Sequence, residues 1–182
     1  MLAAGLGKGV EVISEGLRGR TTAYDEHLAD CDRNGARILP TVLYSHAPLD
    51  LVILMLGVND MKPHIAGTAL AAMQGMRRLV ELVRINAMRD GSGEPPHVLI
   101  VVPPHLCETA DPEFSAMFAG GVEQSKMLAS FYADLADEQG CDFFDAGSVA
   151  RTTPVDGVHL DGENTQAIGR ALIPIVKLIL GL

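Results

Sequence analysis

Several large classes of protein are argued against by what this chain has little of. Cysteine occurs three times, at Cys31, Cys107 and Cys141, scattered and without a C-x-x-C pair. An odd number of separated thiols speaks against a disulfide framework and points to reduced thiols in a cytoplasm. Apolar runs stay short; the stretch at residues 51–58 is far below membrane-spanning length. The opening residues 1–6 have neither the basic start nor the cleavage site of a secretory signal, so a soluble cytoplasmic protein is expected. Positive charge is sparse: 14 Lys and Arg face 23 Asp and Glu, a formal net charge of -9. Nucleic-acid binding needs clustered cations, and the only close groups are Arg18 with Arg20 and the pair Arg77-Arg78. The second pair reads as the solvated face of a helix. No repeat, low-complexity tract or domain boundary interrupts the 182 residues.

What is present suits one domain, since an apolar content of 48% supplies a sizeable core. Residues 51–56 and 97–102 are near-continuous aliphatic runs of strand length, the second stopped by Pro103-Pro104. The first is expected to be covered on both faces. Residues 10–13, after glycines at 5, 7 and 9, and the shorter run 141–144 are further strand candidates. Helical stripes alternate with these runs. One joins Leu70, Met73, Val80 and Val83, a second Leu128, Phe131 and Leu135, and a third Ile168, Leu172, Ile175 and Ile179. Pro174 is expected to kink the third or to mark a second start, and a short helix is expected near residues 38–43. This alternation means α/β with a mainly parallel sheet, whose working segments gather at the carboxyl ends of strands. Those segments are residues 14–22, 57–62, 103–109 and 147–159, while 90–96 belongs to the opposite end.

Three of them carry recognisable chemistry. Asp156 precedes His159 by three positions, a spacing that lets a carboxylate orient an imidazole whose other nitrogen takes a proton from a nucleophile. Alone the pattern is as easily a surface pair or a cap; its position before the last helix favours the functional reading. Asn59, just past a buried strand, can donate its amide to a developing oxyanion, although Asn59-Asp60 could also cap the next helix or form a turn. Gly57 would let the backbone turn tightly there. Gly19, in the segment 15–22, could present its backbone N–H to a substrate oxygen, a weak signal by itself.

Other patterns fail at the decisive position. Asp30-Cys31-Asp32-Arg33-Asn34-Gly35 begins like a calcium loop but has Thr41 where a bidentate glutamate belongs, so a turn is the better account. Gly5 to Gly9 precedes a strand candidate and reads as a helix stop instead of a phosphate loop. The histidines at 27, 46, 64, 97 and 105 have no metal-ligand spacing. His64 and His105, at active ends, could line a pocket, but exposed loop positions explain them better. Phe114, Met117 and Phe118 could form an acyl pocket or a subunit contact, and core packing accounts for them equally well.

In order, the blocks Glu15-Gly16-Leu17, Arg20-Thr21-Thr22, Gly57-Val58-Asn59-Asp60, Phe143-Phe144-Asp145-Ala146-Gly147-Ser148 and Val155-Asp156-Gly157-Val158-His159 resemble the SGNH (GDSL-type) hydrolases, in particular their bacterial arylesterase and acyltransferase branch. The resemblance runs through nearly the whole chain. It implies a flavodoxin-like three-layer α/β/α sandwich and a serine-type carboxylic ester hydrolase or acyltransferase working through an acyl-enzyme. No cofactor or metal is implied, the substrate is a small ester, and the branch suggests a homo-oligomer. Asp156 and His159 become the triad acid and base, and Gly19 and Asn59 the oxyanion donors. The family's Gly-Asp-Ser block and its central strand have no counterpart here, so the nucleophile is expected to lie outside this sequence. An in-frame Gly-Asp-Ser run upstream of Met1 in the gene would mark a misplaced start. Of the serines at 14, 45, 92, 115, 125, 130 and 148, Ser14 is the least unsuitable; Ser92, in Gly91-Ser92-Gly93, has no preceding strand to form an elbow. The competing class is a non-catalytic binding or oligomerising module with an unpaired sheet edge.

Overall fold

The computed structural model describes residues 1–86 and 94–182. Ser92 and positions 90–93 of the expected connecting loop lie outside the described residues. The described sheet has three strands: β1 (Leu51–Leu54), β2 (His97–Val102) and β3 (Asp142–Asp145), in spatial order 1-2-3. Both pairings are parallel, with Leu54 opposite Ile100 and Val102 opposite Asp145. Helices α2 (Gly35–His46), α3 (Ala69–Asn86) and α5 (Gly121–Gln139) pack together over one face. Helices α1 (Leu2–Leu6) and α6 (Gly162–Leu180) pair on the other, and α4 (Pro112–Met117) sits in the long segment after β2. This is the expected three-layer α/β/α architecture.

The two cores follow from the pleat of β2. Val98, Ile100 and Val102 enter a core with Leu43, Met76, Leu79, Val80, Leu128 and Leu135. The intervening Leu99 and Val101 join Ala146, Ala150, Ile168 and Leu172 on the opposite side. Alternation along one strand therefore feeds both layers, which is why the run contains no polar position between Val98 and Val102.

Several expectations need correction. Residues 10–13 form no strand: Val10 has only a turn-like N–H bond to the Gly7 carbonyl, and Val12 and Ile13 are exposed. A β-rich sequence becomes a strand only beside a ladder partner, and none of the described strands runs alongside this one. β1 is shorter than its aliphatic run and only Leu54 is buried, because β1 has a hydrogen-bonded neighbour on one side alone among the described strands. On α3 the buried stripe runs through Ala69, Ala72, Met76, Leu79, Val80 and Val83, while Leu70 is exposed. α6 continues through Pro174 to Leu180 as one helix, without a second start. The glycine-rich opening is a helix stop as expected, with Gly7 in a positive-φ conformation after Leu6.

Candidate active site

The site is assembled where the strands end. After β1 the chain turns at Gly57, whose φ is +117°. Tyr132 of α5 explains why this position has to be glycine: its hydroxyl donates to the Leu56 carbonyl at 3.1 Å and occupies the space a Cβ would need. The turn delivers Asn59 into a short 3-10 segment, Asn59–Met61. Neither Asn59 nor Asp60 caps the next helix, whose first turn is capped by the Thr68 hydroxyl on Ala71 N–H.

Asn59 and Asp60 instead fasten a second loop. Asn59 Nδ2 donates to the Arg20 carbonyl at 3.1 Å. The fully buried Asp60 accepts from Thr22 N–H at 3.0 and 3.1 Å and from the Thr22 hydroxyl. Burial pushes the Asp60 carboxyl up to about 6, against the opposing pull of the Thr22 hydroxyl and N–H. Gly19, with φ +78°, is one residue away from this clamp, and the Arg33 guanidinium lies against the face where a side chain would start. The two expected oxyanion donors are thus held in register by neighbouring bonds.

The third segment carries Asp156 and His159. His159 Nδ1 meets Asp156 Oδ2 at 2.7 Å, and the other carboxylate oxygen accepts from the N–H groups of Val158 (2.9 Å) and His159 (2.8 Å). Burial works to raise the Asp156 carboxyl, yet these two N–H groups and the imidazole outweigh it and hold it below the ordinary carboxylate range. Its side chain is 18% exposed against 56% for His159, so the carboxylate is sheltered behind an accessible imidazole. The loop is tied to the segment after β2 by Cys107 N–H on the Gly157 carbonyl (2.9 Å), the Thr152 hydroxyl on the His105 carbonyl (2.8 Å) and the Thr109 hydroxyl on the Val155 carbonyl (3.1 Å). Phe114 meets the His159 ring edge-on.

Gly19, Asn59 and His159 line one open cleft of about 900 Å³, together with Phe114, Met117 and Phe118. The aromatic pair also packs on the main core, so the pocket and core readings of these residues both apply. Asp156 borders a second, smaller cavity of about 260 Å³ behind the same aromatic wall. Among the described residues no serine lines the cleft, and the hydroxyl-bearing residues there are Thr152 and Thr165. Ser125 is buried with its hydroxyl donating to Val122, Ser45 and Ser148 cap local carbonyls, and Ser14 is exposed. His105 is exposed and bonded to the Ser125 carbonyl, and His64 pairs with Glu26; neither joins the cleft lining. Asp30 and Asp32 pair with Arg33 and Arg37, as a turn in place of a calcium loop requires. Among the described residues no group of three or more potential metal ligands gathers, and no helix is long and apolar enough to cross a membrane. The Thr22–Asp60 clamp and the Phe114 contact escape sequence reading, because nothing in local spacing links positions so far apart.

The sequence and fold have known relatives. The GDSL-like lipase/acylhydrolase family model matches residues 1–165. Among curated proteins no match is found. A carbohydrate acetylesterase family member from Sinorhizobium meliloti has a similar structure, with 66% identity and a TM-score of 0.97 over 100% of this chain and 85% of its own. The native aryl esterase of M. smegmatis is 43% identical, with a TM-score of 0.91 over 98% of this chain and 83% of its own. A putative arylesterase from Agrobacterium tumefaciens is 50% identical, with a TM-score of 0.87 over 97% and 83%.

Proposed function

Since the chain belongs to the GDSL-like lipase/acylhydrolase family, a family of carboxylic ester hydrolases, we propose that it cleaves small acetyl or aryl esters through a serine-type acyl-enzyme. The observation that carries this reading is the 2.7 Å bond between His159 Nδ1 and Asp156, which leaves Nε2 without a partner among the described residues, on a ring that lines the cleft. Nε2 takes the proton of an attacking hydroxyl, and Asp156 stabilises the imidazolium that results. The hydroxyl oxygen bonds to the ester carbonyl carbon. The negative charge on the former carbonyl oxygen is met by the Gly19 N–H and the Asn59 amide. Collapse expels the alcohol, which takes its proton from His159. Water, or a second alcohol, then releases the acyl group by the same steps in reverse. The absence of serine from the cleft lining among the described residues supports a nucleophile outside those residues. The three free cysteines accord with a reducing cytoplasm, and the family branch supports a homo-oligomer, to be read by light scattering against a 19.3 kDa protomer.

Without a serine, His159 can still act as general base toward water, a contribution of roughly 10²–10⁴-fold, beside the two oxyanion donors. The 182-residue chain is therefore expected to hydrolyse 4-nitrophenyl acetate slowly, with no burst and no labelling by a fluorophosphonate. His159→Ala should remove most of this turnover and His105→Ala should not. Labelling at one of the chain's own serines would overturn the nucleophile assignment. Turnover no faster than buffer would favour a non-catalytic binding module.

A further inference from the structure

The cleft is positively charged in a chain that is strongly negative. Its lining holds Arg18, Arg20, Arg33 and Lys62 against Asp30 and Glu113, four cations to two carboxylates, while the whole chain carries -9. Arg33 is balanced by Asp30 at 2.9 Å. Arg18 and Arg20, on either side of Gly19, have no carboxylate partner among the described residues. Arg20 donates to the Glu15 main-chain carbonyl, and the Arg18 side chain forms no bond to a described residue. Lys62 lies one helical turn past Asn59. Its side chain is only 12% exposed, and its ammonium is ion-paired with Glu26 at 3.7 Å, outside hydrogen-bond distance, and stands 5.7 Å from the Phe118 ring centre.

A neutral ester needs none of this. Its oxyanion is met by two neutral donors, and a sheltered ion pair that lacks a hydrogen bond is only partly compensated for its lost hydration. Such an arrangement is favourable when an anion enters beside it, because a charge-assisted bond in a sheltered site is stronger than one in water. The net negative charge of the chain does not oppose this, since charges farther than roughly 8 Å are screened at physiological salt. Resting on the reading of this cleft as the ester-cleaving site, we infer that the substrate carries a carboxylate in addition to its scissile ester, held by Arg18 and Lys62 beside the two oxyanion donors.

Amides that resist hydrolysis separate binding from turnover. Succinanilate carries its carboxylate on the acyl side, 4-acetamidobenzoate carries it on the side of the leaving group, and acetanilide is neutral. Calorimetry on the 182-residue chain at physiological ionic strength should give one of the two anions an affinity roughly tenfold or more above acetanilide. That advantage should shrink with added salt. The preferred isomer tells which side of the scissile bond faces the cations. Arg18→Gln and Lys62→Gln should each pull the ratio toward one, whereas Lys8→Gln, an exposed position outside the cleft lining, should keep it. Arg18→Gln removes a side chain without bonds to described residues, so its result does not hinge on folding. Equal affinities for all three amides, no binding by either anion, or a preference that survives both substitutions overturns the inference. Hydrolysis of neutral 4-nitrophenyl acetate is read separately. Turnover without anion preference sinks the carboxylate site alone, and anion preference without turnover sinks the esterase reading alone.

Discussion

Phe114 stands edge-on to the imidazole of His159, with ring centres 5.7 Å apart and planes at 75°. Asp156 holds one nitrogen of that ring, and Phe114 limits how the ring can tilt about the bond. Phe114 is itself stacked on Phe118 at 6.4 Å and 7°. The His159 ring is therefore positioned from two directions, by a carboxylate on its own loop and by an aromatic wall from α4. Edge-to-face pairs contribute roughly 0.5–1.5 kcal/mol beyond area burial.

Phe114→Leu keeps an apolar side chain but loses that edge contact. Ester hydrolysis by the chain should fall by up to about tenfold. The loss should appear in kcat if His159 is the base, because Phe114 acts on its ring. The ¹⁵N signals of His159 should broaden as the ring gains freedom. A change confined to KM would make Phe114 a wall of the pocket only.

Asp156→Asn retains an oxygen for the Val158 and His159 N–H groups but no longer stabilises an imidazolium. Hydrolysis should drop to the level of His159→Ala. The pH dependence of stability has a definite sign. The folded Asp156 carboxyl is held below its ordinary value, so its contribution is present above the unfolded carboxylate range and lost as pH falls through the folded value. Thermal unfolding should therefore separate wild type from Asp156→Asn at neutral pH, and the gap should close on acidification. A gap independent of pH would mean that the carboxylate charge plays no part in holding the loop.

Asp60 has the opposite sign. Its carboxyl is raised from 3.8 to about 6 in the folded chain, so the folded state binds more protons between those values. Stability from this group is full below pH 4 and is lost as pH rises through about 6. The shift corresponds to something on the order of 3 kcal/mol. Denaturant unfolding of wild type against Asp60→Asn should show wild type declining relative to the variant between pH 4 and 6.5. Parallel curves across that window would mean that the Thr22 bonds fully offset the cost of burial.

Legibility in the sequence follows the range of the interaction. β2 and the α5 stripe through Leu128 and Leu135 are readable because burial there depends on a local period. Asp156 and His159 are readable for a similar reason, since their partnership is written in a spacing of three. Residues 10–13 mislead because their β-rich composition is local, whereas a ladder partner is not. Leu70 misleads because two helix faces differ by a small rotation and the real stripe uses alanines at 69 and 72. The Thr22–Asp60 clamp spans 38 positions and Tyr132 reaches back 76 to Leu56. No spacing argument reaches across such distances, so the supports beneath the donors stay hidden until the fold is known.

The Tyr132–Gly57 approach gives the sharpest test of those supports. Gly57→Ala combines a positive φ with a side chain that meets the Tyr132 hydroxyl. Backbone strain and overpacking together should cost on the order of 3 kcal/mol, a fall in Tm of roughly 6–12 °C for a chain of this size. Tyr132→Phe alone loses the bonds to the Leu56 and Ala72 carbonyls, worth about 1 kcal/mol or somewhat more. If the hydroxyl is what excludes a side chain at position 57, the double variant should be less destabilised than the two single changes added together. Simple additivity would assign the whole cost at Gly57 to its backbone angle. It would also remove Tyr132 from the residues that set the turn leading to Asn59.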